Sequence, residues 1–356
     1  MNEKIRHLQQ RLREEQLDAL LLTRRDNVAW LTEGASFYVV DRAETGVASL
    51  LITAEGITLI APENEMSRIL AEEPLPFPLK TIAYPWFTTL NTVLASLPFS
   101  RTGSDIPLGN SRELTNIRTD LNAAECQRLI RLGREVATLV EKVARGVRPG
   151  MSEQQVEAQI YAECLPLAIR PVCTLVAADD RIAAFKHPVP GPAQVQQQMM
   201  ITLGAERHGL NISITRMIHL GEPAADSRQR LHTVAEIHAD MLAASRPERH
   251  WQTIFADIQA SYSRYGFPDE WRAHHQGGPA GYGCRDFIVT PDTPGKLTIN
   301  RALAWNPTLP GVKSEETVLL TAEGLHSLTH TGNWPTIALQ RGDSVMRFAD
   351  WLITRP

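Results

Sequence analysis

The sequence predicts two domains: a first of layered α/β type, and a second in which long helices flank a strand hairpin. Three observations predict it. The chain has 356 residues, about two domains at the usual domain length. Up to about residue 61, a helical repeat and short continuous apolar runs are mixed, the pattern of strands layered with helices. Further along, two helix-opening signatures lead to a segment of period-two alternation, and two long helical repeats follow it.

In order, Ile5, Leu8, Leu12 and then Leu17 recur at helical spacing over residues 3–16. Residues 18–23 (D-A-L-L-L-T) form a continuous apolar strand, and strand-like runs follow at 48–52 and 57–61. Residues 98–110 hold Gly103, Pro107 and Gly109, so the domain boundary falls just after them, giving domains 1–117 and 118–356. A long helix over 122–145 carries Leu129, Leu132, Val136, Val140 and Val143 on one side. Residues 146–150 break it, and Ser152 with Gln155 is a capping box for the next helix. After a strand at 172–177 and a loop with His187-Pro188, Leu210, Ile212 and Ile214 alternate with Asn211, Ser213 and Thr215. This is a half-buried strand with one polar face, in a hairpin that lines a pocket. Helices over 225–244 and 251–265 follow, leaving His232 and His238 off the apolar stripe and solvated. Gly277-Gly278-Pro279-Ala280-Gly281 reads as a loop, or as bare backbone that lets a ligand approach.

Composition excludes several function classes. With 43% hydrophobic and 21% charged residues the chain is an ordinary globular one, and its net charge of −4 with no basic run argues against nucleic acid. No apolar stretch nears the roughly 20 residues of a membrane span, and the charged opening residues are unlike a secretory signal. Cys126, Cys164, Cys173 and Cys284 lack close pairing, which fits reduced thiols in a cytoplasmic protein. No Gly-rich phosphate fingerprint follows a strand.

Residues 202–221 contain Gly204-Ala205, Gly209, Thr215-Arg216 and Gly221 in the register of a known hairpin, D-x-G-A, then G-Y, then D-x-T-R. On these residues the chain resembles the pita-bread creatinase, prolidase and aminopeptidase P family (peptidase M24-like), as a divergent member. Asn27 to Thr32 resembles that family's N-terminal motif N-x-x-Y-L-T-G, and His187 matches a pocket-edge histidine. His274, Gly278 and Arg285 fall on the first histidine, the metal-binding histidine and the last histidine of a segment that begins H-G-x-G-H-x-x-G. Asn306-Pro307 resembles E-P-G, and residues 311–317 resemble G-x-R-x-E-D-T. The resemblance implies an α/β creatinase-like N-terminal domain, an α+β pita-bread domain and a homodimer.

It also implies five metal ligands, and the five positions read Thr202, Ser213, Gly278, Asn306 and Glu315. Two divalent ions about 3.5–4 Å apart need anionic bridges against their mutual repulsion. Two hydroxyls, an amide and one carboxylate supply a single negative charge against four positive ones. We therefore expect no dinuclear centre and no cofactor. A single zinc on His187, His208, His274 or His275 is an alternative without supporting spacing.

The polar residues left form an acid/base and recognition set. By analogy with creatinase, which works without metal, His187 is the acid/base, supported by His274, and Glu315 binds a cationic group or orients water. His208, Arg216, His275, Arg285 and Asn306 are the substrate-binding residues. The expected function is a metal-independent hydrolase of a C–N bond in a small amino-acid-like or amidino substrate. The alternatives are a catalytically silent ligand-binding or regulatory relative, and an Xaa-Pro-type peptidase with an unconventional metal site.

Overall fold

A computed structural model describes residues 3–354. The chain divides into two compact units, Met1–Thr119 and Asp120–Pro356. In the first unit the elements are α1 (Glu3–Glu14), β1 (Ala19–Arg24), α2 (Arg25–Thr32), β2 (Thr45–Ile52), β3 (Ile57–Pro62), α3 (Glu63–Glu72), β4 (Lys80–Tyr84), α4 (Leu90–Ala95), β5 (Thr102–Ser104) and β6 (Arg112–Glu113). They make one mixed sheet in the order β4-β3-β2-β1-β5-β6. The apolar run Leu20-Leu21-Leu22 is fully buried because β1 is central and covered on both faces. Within the turn-rich stretch, Gly103 and Ser104 pair with β1 as a short strand. Asp105 accepts from the backbone N–H of Thr23 and Arg24 and from Asn27 Nδ2, which fixes the turn into α2.

The second unit begins with α5 (Ala123–Arg145) and α6 (Glu153–Cys164). Both start with complete capping boxes, Asn122 with Glu125 and Ser152 with Gln155, which satisfy N-terminal N–H groups the helices cannot satisfy themselves. There follow β7 (Arg170–Ala178), α7 (Arg181–Ala184), β8 (Gln198–Arg207), β9 (Leu210–Leu220), α8 (Ala225–Ala244) and α9 (Trp251–Arg264). The remaining strands are β10 (Gly277–Ala280), β11 (Arg301–Trp305), β12 (Thr308–Leu309), β13 (Val312–Lys313), β14 (Glu316–Thr321), β15 (Gly324–Ser327), β16 (Thr336–Arg341), β17 (Ser344–Ala349) and β18 (Leu352–Thr354). Two four-stranded sheets result, β18-β9-β8-β7 and β10-β11-β14-β15. Trp251, Phe255, Tyr262, Trp305, Phe348 and Trp351 belong to the core between helices and strands. Among the described residues no helix is long and apolar enough to cross a membrane.

Three expectations are corrected here. The alternating strand β9 is buried on both faces, so its polar side looks into the protein rather than into solvent. Residues 277–280 are the strand β10 and not a loop: a Cβ at Gly277 would lie 2.1 Å from Ala304 O, so glycine is what lets β10 and β11 approach. His238 is fully buried on α8, because Ser314 Oγ bonds its Nδ1 at 2.8 Å and Phe348 packs 4.9 Å away; His232 remains solvated.

Candidate functional site

The pairing of β8 with β9 sets Thr202 opposite Thr215 and Gly204 opposite Ser213. Side chains alternate along a strand, so Asn211, Ser213 and Thr215 share one face of β9, and Ile212, Ile214 and Arg216 share the other. Thr215 Oγ1 donates to Glu315 Oε2 at 2.6 Å and lies 2.7 Å from Thr202 Oγ1. A hydroxyl has one proton to give, so Thr202 is the donor to Thr215. Backbone bonds from Thr215 N to Glu315 O (3.1 Å) and from Ser213 N to Thr317 Oγ1 (2.9 Å) stitch β9 to the segment that carries the carboxylate.

Glu315 is buried, and both its oxygens are taken by cations. Lys313 Nζ lies 3.0 Å from Oε2 and Arg285 Nη2 lies 2.8 Å from Oε1. Arg285 Nη1 also donates to Ser213 Oγ at 2.8 Å. Burial alone would raise the Glu315 pKa; Lys313 and then Arg285 overcome it and hold the carboxyl well below its ordinary range. Thr202 and Ser213 are thus links in a buried ion cluster.

At Gly278 the backbone has closed over the site. A Cβ there would lie 2.6 Å from Phe287 O and 3.1 Å from Val289 Cγ2, at a φ of +156°. Neighbouring Asn306 is buried with its Oδ1 unpartnered among the described residues, as is Arg285 Nε.

Three imidazoles meet nearby. His187 Nε2 and His274 Nε2 are 3.0 Å apart, and His275 stacks on His274 with ring centroids at 4.3 Å. Lys186 Nζ bonds Glu270 Oε1 at 2.6 Å and so ties the His187 loop to the segment leading into His274. Gln276 donates to Trp271 O and His274 O and accepts from Tyr262 Oη, which holds that segment. Burial, with Lys313 next, lowers the His187 pKa and takes His274 to about 3; burial, with Arg285 next, takes His275 to about 4. All three rings are neutral near pH 7, and one of the two facing Nε2 atoms carries a proton.

Two expected members lie elsewhere. His208 sits at the hairpin tip, six residues along β8 from Thr202, about 20 Å at ~3.3 Å per residue. Arg216 points to the opposite face of β9, where it is buried against Glu316 at 2.8 Å and donates to Thr329 O at 2.6 Å. This buried ion pair lies on the opposite face of β9 from Ser213 and Thr215. Lys313 and Thr215 are the members the sequence reading missed. Lys313 lies two residues before Glu315, and that proximity in a strand-like stretch was the available signal.

A family model described as metallopeptidase family M24 matches residues 127–322, and one described as the creatinase/prolidase N-terminal domain matches residues 4–136. The sequence is 22% identical over 355 residues to a Xaa-Pro dipeptidase of Pyrococcus horikoshii, covering 93% of this chain and 98% of that one. It is also 22% identical to a Xaa-Pro dipeptidase of Pyrococcus furiosus, covering 93% and 99%. Among solved structures, the prolidase from Pyrococcus horikoshii OT3 superposes with a TM-score of 0.78 at 19% identity, covering 93% of this chain and 99% of that one. The N-terminal domain of FACT complex subunit SPT16 from Cicer arietinum (chickpea) superposes with a TM-score of 0.68 at 10% identity, covering 93% and 95%.

Proposed function

The chain belongs to metallopeptidase family M24, and from that premise we propose that it hydrolyses the amide bond of a short peptide of about dipeptide size without a pair of bridged divalent ions. The site is the one formed by His187, His274 and the Glu315 cluster. The observation that carries this reading is that Lys313 and Arg285 already occupy both oxygens of Glu315. A two-metal site needs anionic bridges, and the single carboxylate here is neutralised by the protein's own cations. Gly278 has no room for a ligating side chain. The residues do not fit a dinuclear centre, and no step passes through one.

The peptidase reading takes precedence over the amidino-substrate expectation for two reasons. Two relatives that match along 93% of the chain are named Xaa-Pro dipeptidases. The carboxylate assigned to a cationic substrate group has no free oxygen. In the peptidase reading, neutral and exposed His187 accepts a proton from water while His274 Nε2 holds its ring in place. Arg285 Nε and Asn306 Oδ1 are buried beside the site with no partner among the described residues, hydrogen-bond capacity that the protein itself leaves unspent.

The test uses protein purified without added metal, assayed against Xaa-Pro dipeptides, N-acyl amino acids and guanidino compounds. Turnover of a dipeptide that falls at least ~100-fold in His187→Ala supports the reading. Turnover confined to guanidino compounds returns the amidino-substrate reading, and about two manganese, cobalt or zinc ions per chain sinks the absence of a dinuclear centre. A second reading, a silent binding relative, is favoured by the neutralised Glu315 together with the lack of a Ser-His-Asp or Cys-His nucleophile signature. The SPT16 domain, named for a complex subunit, carries the same fold. Thermal stabilisation by a dipeptide without turnover would select that reading.

A further inference from the structure

We infer that, in a metal-loaded state that replaces the His187–His274 hydrogen bond of the proposed hydrolysis, His187, His274 and His275 form a binding site for one transition-metal ion of the zinc type, distinct from the five positions at which the family resemblance places metal ligands. One ligand atom from each ring can be chosen so that all three lie within 4.8 Å of one another. Three nitrogen donors around a tetrahedral zinc, each about 2.1 Å from the metal, are about 3.4 Å apart. The Nε2 atoms of His187 and His274, at 3.0 Å, need only open slightly. His275 stacks on His274 with an interplanar angle of 29°, so it must turn out of that stack to bring in the third donor, and His187, which is exposed, is free to adjust.

The chemistry of the donors selects the ion. No carboxylate belongs to the cluster, and imidazole suits zinc, cobalt, nickel and copper rather than magnesium, calcium or manganese. The rings are also under-bonded. His274 is only 7% exposed, and among the described residues its Nδ1 has no hydrogen-bond partner, nor has the buried Nδ1 of His275. Two facing Nε2 atoms repel unless a proton or a cation lies between them. The Lys186–Glu270 pair fixes one side of the cluster and the Gln276 bonds fix the other, so the three rings are already assembled. Three protein ligands leave the fourth position for water or a substrate atom, the arrangement of open rather than structural zinc sites.

Nearby charge works against tight binding. Lys313 and Arg285 bring two positive charges and Glu315 one negative. The site should therefore bind more weakly than a closed structural zinc site. The spacing of the sequence hides it, because His187 is 87 residues from His274 and the other two are adjacent.

The test is a titration of the full chain, first stripped with a chelator, with Co²⁺ and then Zn²⁺. The expected result is one equivalent of Co²⁺ with a visible absorption band of a tetrahedral nitrogen-rich site, displaced by Zn²⁺. His275→Ala and the milder His275→Asn should each weaken binding at least ~10-fold, with far-UV circular dichroism confirming the fold, while Glu315→Gln should leave one equivalent bound. Absence of saturable Co²⁺ binding to the wild-type chain overturns the inference. So does unchanged affinity in both His275 variants, or two equivalents that disappear in Glu315→Gln. Peptide turnover is measured separately in stripped and loaded protein, so failure of the metal site and failure of the proposed hydrolysis are distinguishable.

Discussion

Glu315 and Glu316 are adjacent, equally buried and each paired with an arginine, yet they belong to different parts of the machine. Glu316 is held by Arg216 and Thr329, and Arg216 spends its guanidinium on Glu316, Thr215 O and Thr329 O. Glu315 is held by Arg285, Lys313 and Thr215, but among the described residues Arg285 Nε, the Nδ1 atoms of His274 and His275 and Asn306 Oδ1 have no hydrogen-bond partner. Burial and charge pairing are alike on the two sides, so neither marks a site. What separates them is the arginine: Arg285 keeps a buried Nε without a hydrogen-bond partner among the described residues and Arg216 does not, although His330 Nε2, 3.5 Å from Glu316 Oε1, is unpartnered on that side too.

The comparison breaks most easily on the Glu316 side. Arg216→Met leaves a buried carboxylate without its partner, and the expected loss is about 3–5 kcal/mol of stability, read by chemical denaturation. A loss below about 1 kcal/mol would mean that this pair is no more structural than a surface one.

A second structural group responds to pH. Burial, opposed by Glu316 and Glu315, lowers the His238 pKa to about 4 against the usual 6.5. The fold keeps this ring neutral while the unfolded chain protonates it. Its contribution is therefore full above pH 6.5 and is lost as pH falls from 6.5 towards 4, by about 3 kcal/mol in all. Melting curves across that window should show a slope that His238→Leu flattens. An unchanged slope in the variant would assign the acid sensitivity to other groups.

On the Glu315 side the stability cost should be smaller and the functional cost larger. Arg285→Leu removes three charge-assisted bonds, to Glu315, Ser213 and the Cys284 carbonyl, but Lys313 and Thr215 still hold the carboxylate, so the expected loss is about 2 kcal/mol. Turnover of any dipeptide substrate should fall far more than that loss of folded protein explains. Equal losses of stability and activity would make Arg285 merely another Arg216.

Much of this frame was legible. The two capping boxes, the hairpin and the long helices follow from local rules that a sequence states directly, and the absent side chain at Gly278 is visible as a letter. The facing of Arg216 was a conflict between two signals. The motif placed it beside Thr215, whereas strand alternation puts it with Ile212 and Ile214, and the alternation decided. His238 could not be read, because its burial depends on Ser314, 76 residues away, accepting or donating at Nδ1. The histidine cluster was hidden for the same reason, since proximity across 87 residues has no local pattern.

The smallest effect concerns the hairpin tip. His208 and Gly209 both have positive φ, at 53° and 82°, as the central residues of a type I′ two-residue turn require. Asparagine tolerates the left-handed region better than histidine, and Asn-Gly is the preferred pair for such a turn. His208→Asn should therefore leave stability unchanged or raise it by about 0.5 kcal/mol or less, as expected of a surface position. Because His208 lies about 20 Å along the strand from Thr202, kcat and KM for any dipeptide substrate should not move. A loss of activity in a stable His208→Asn protein would bring the tip back to the site and undo the separation between the positions that carry the turn and those that carry the chemistry.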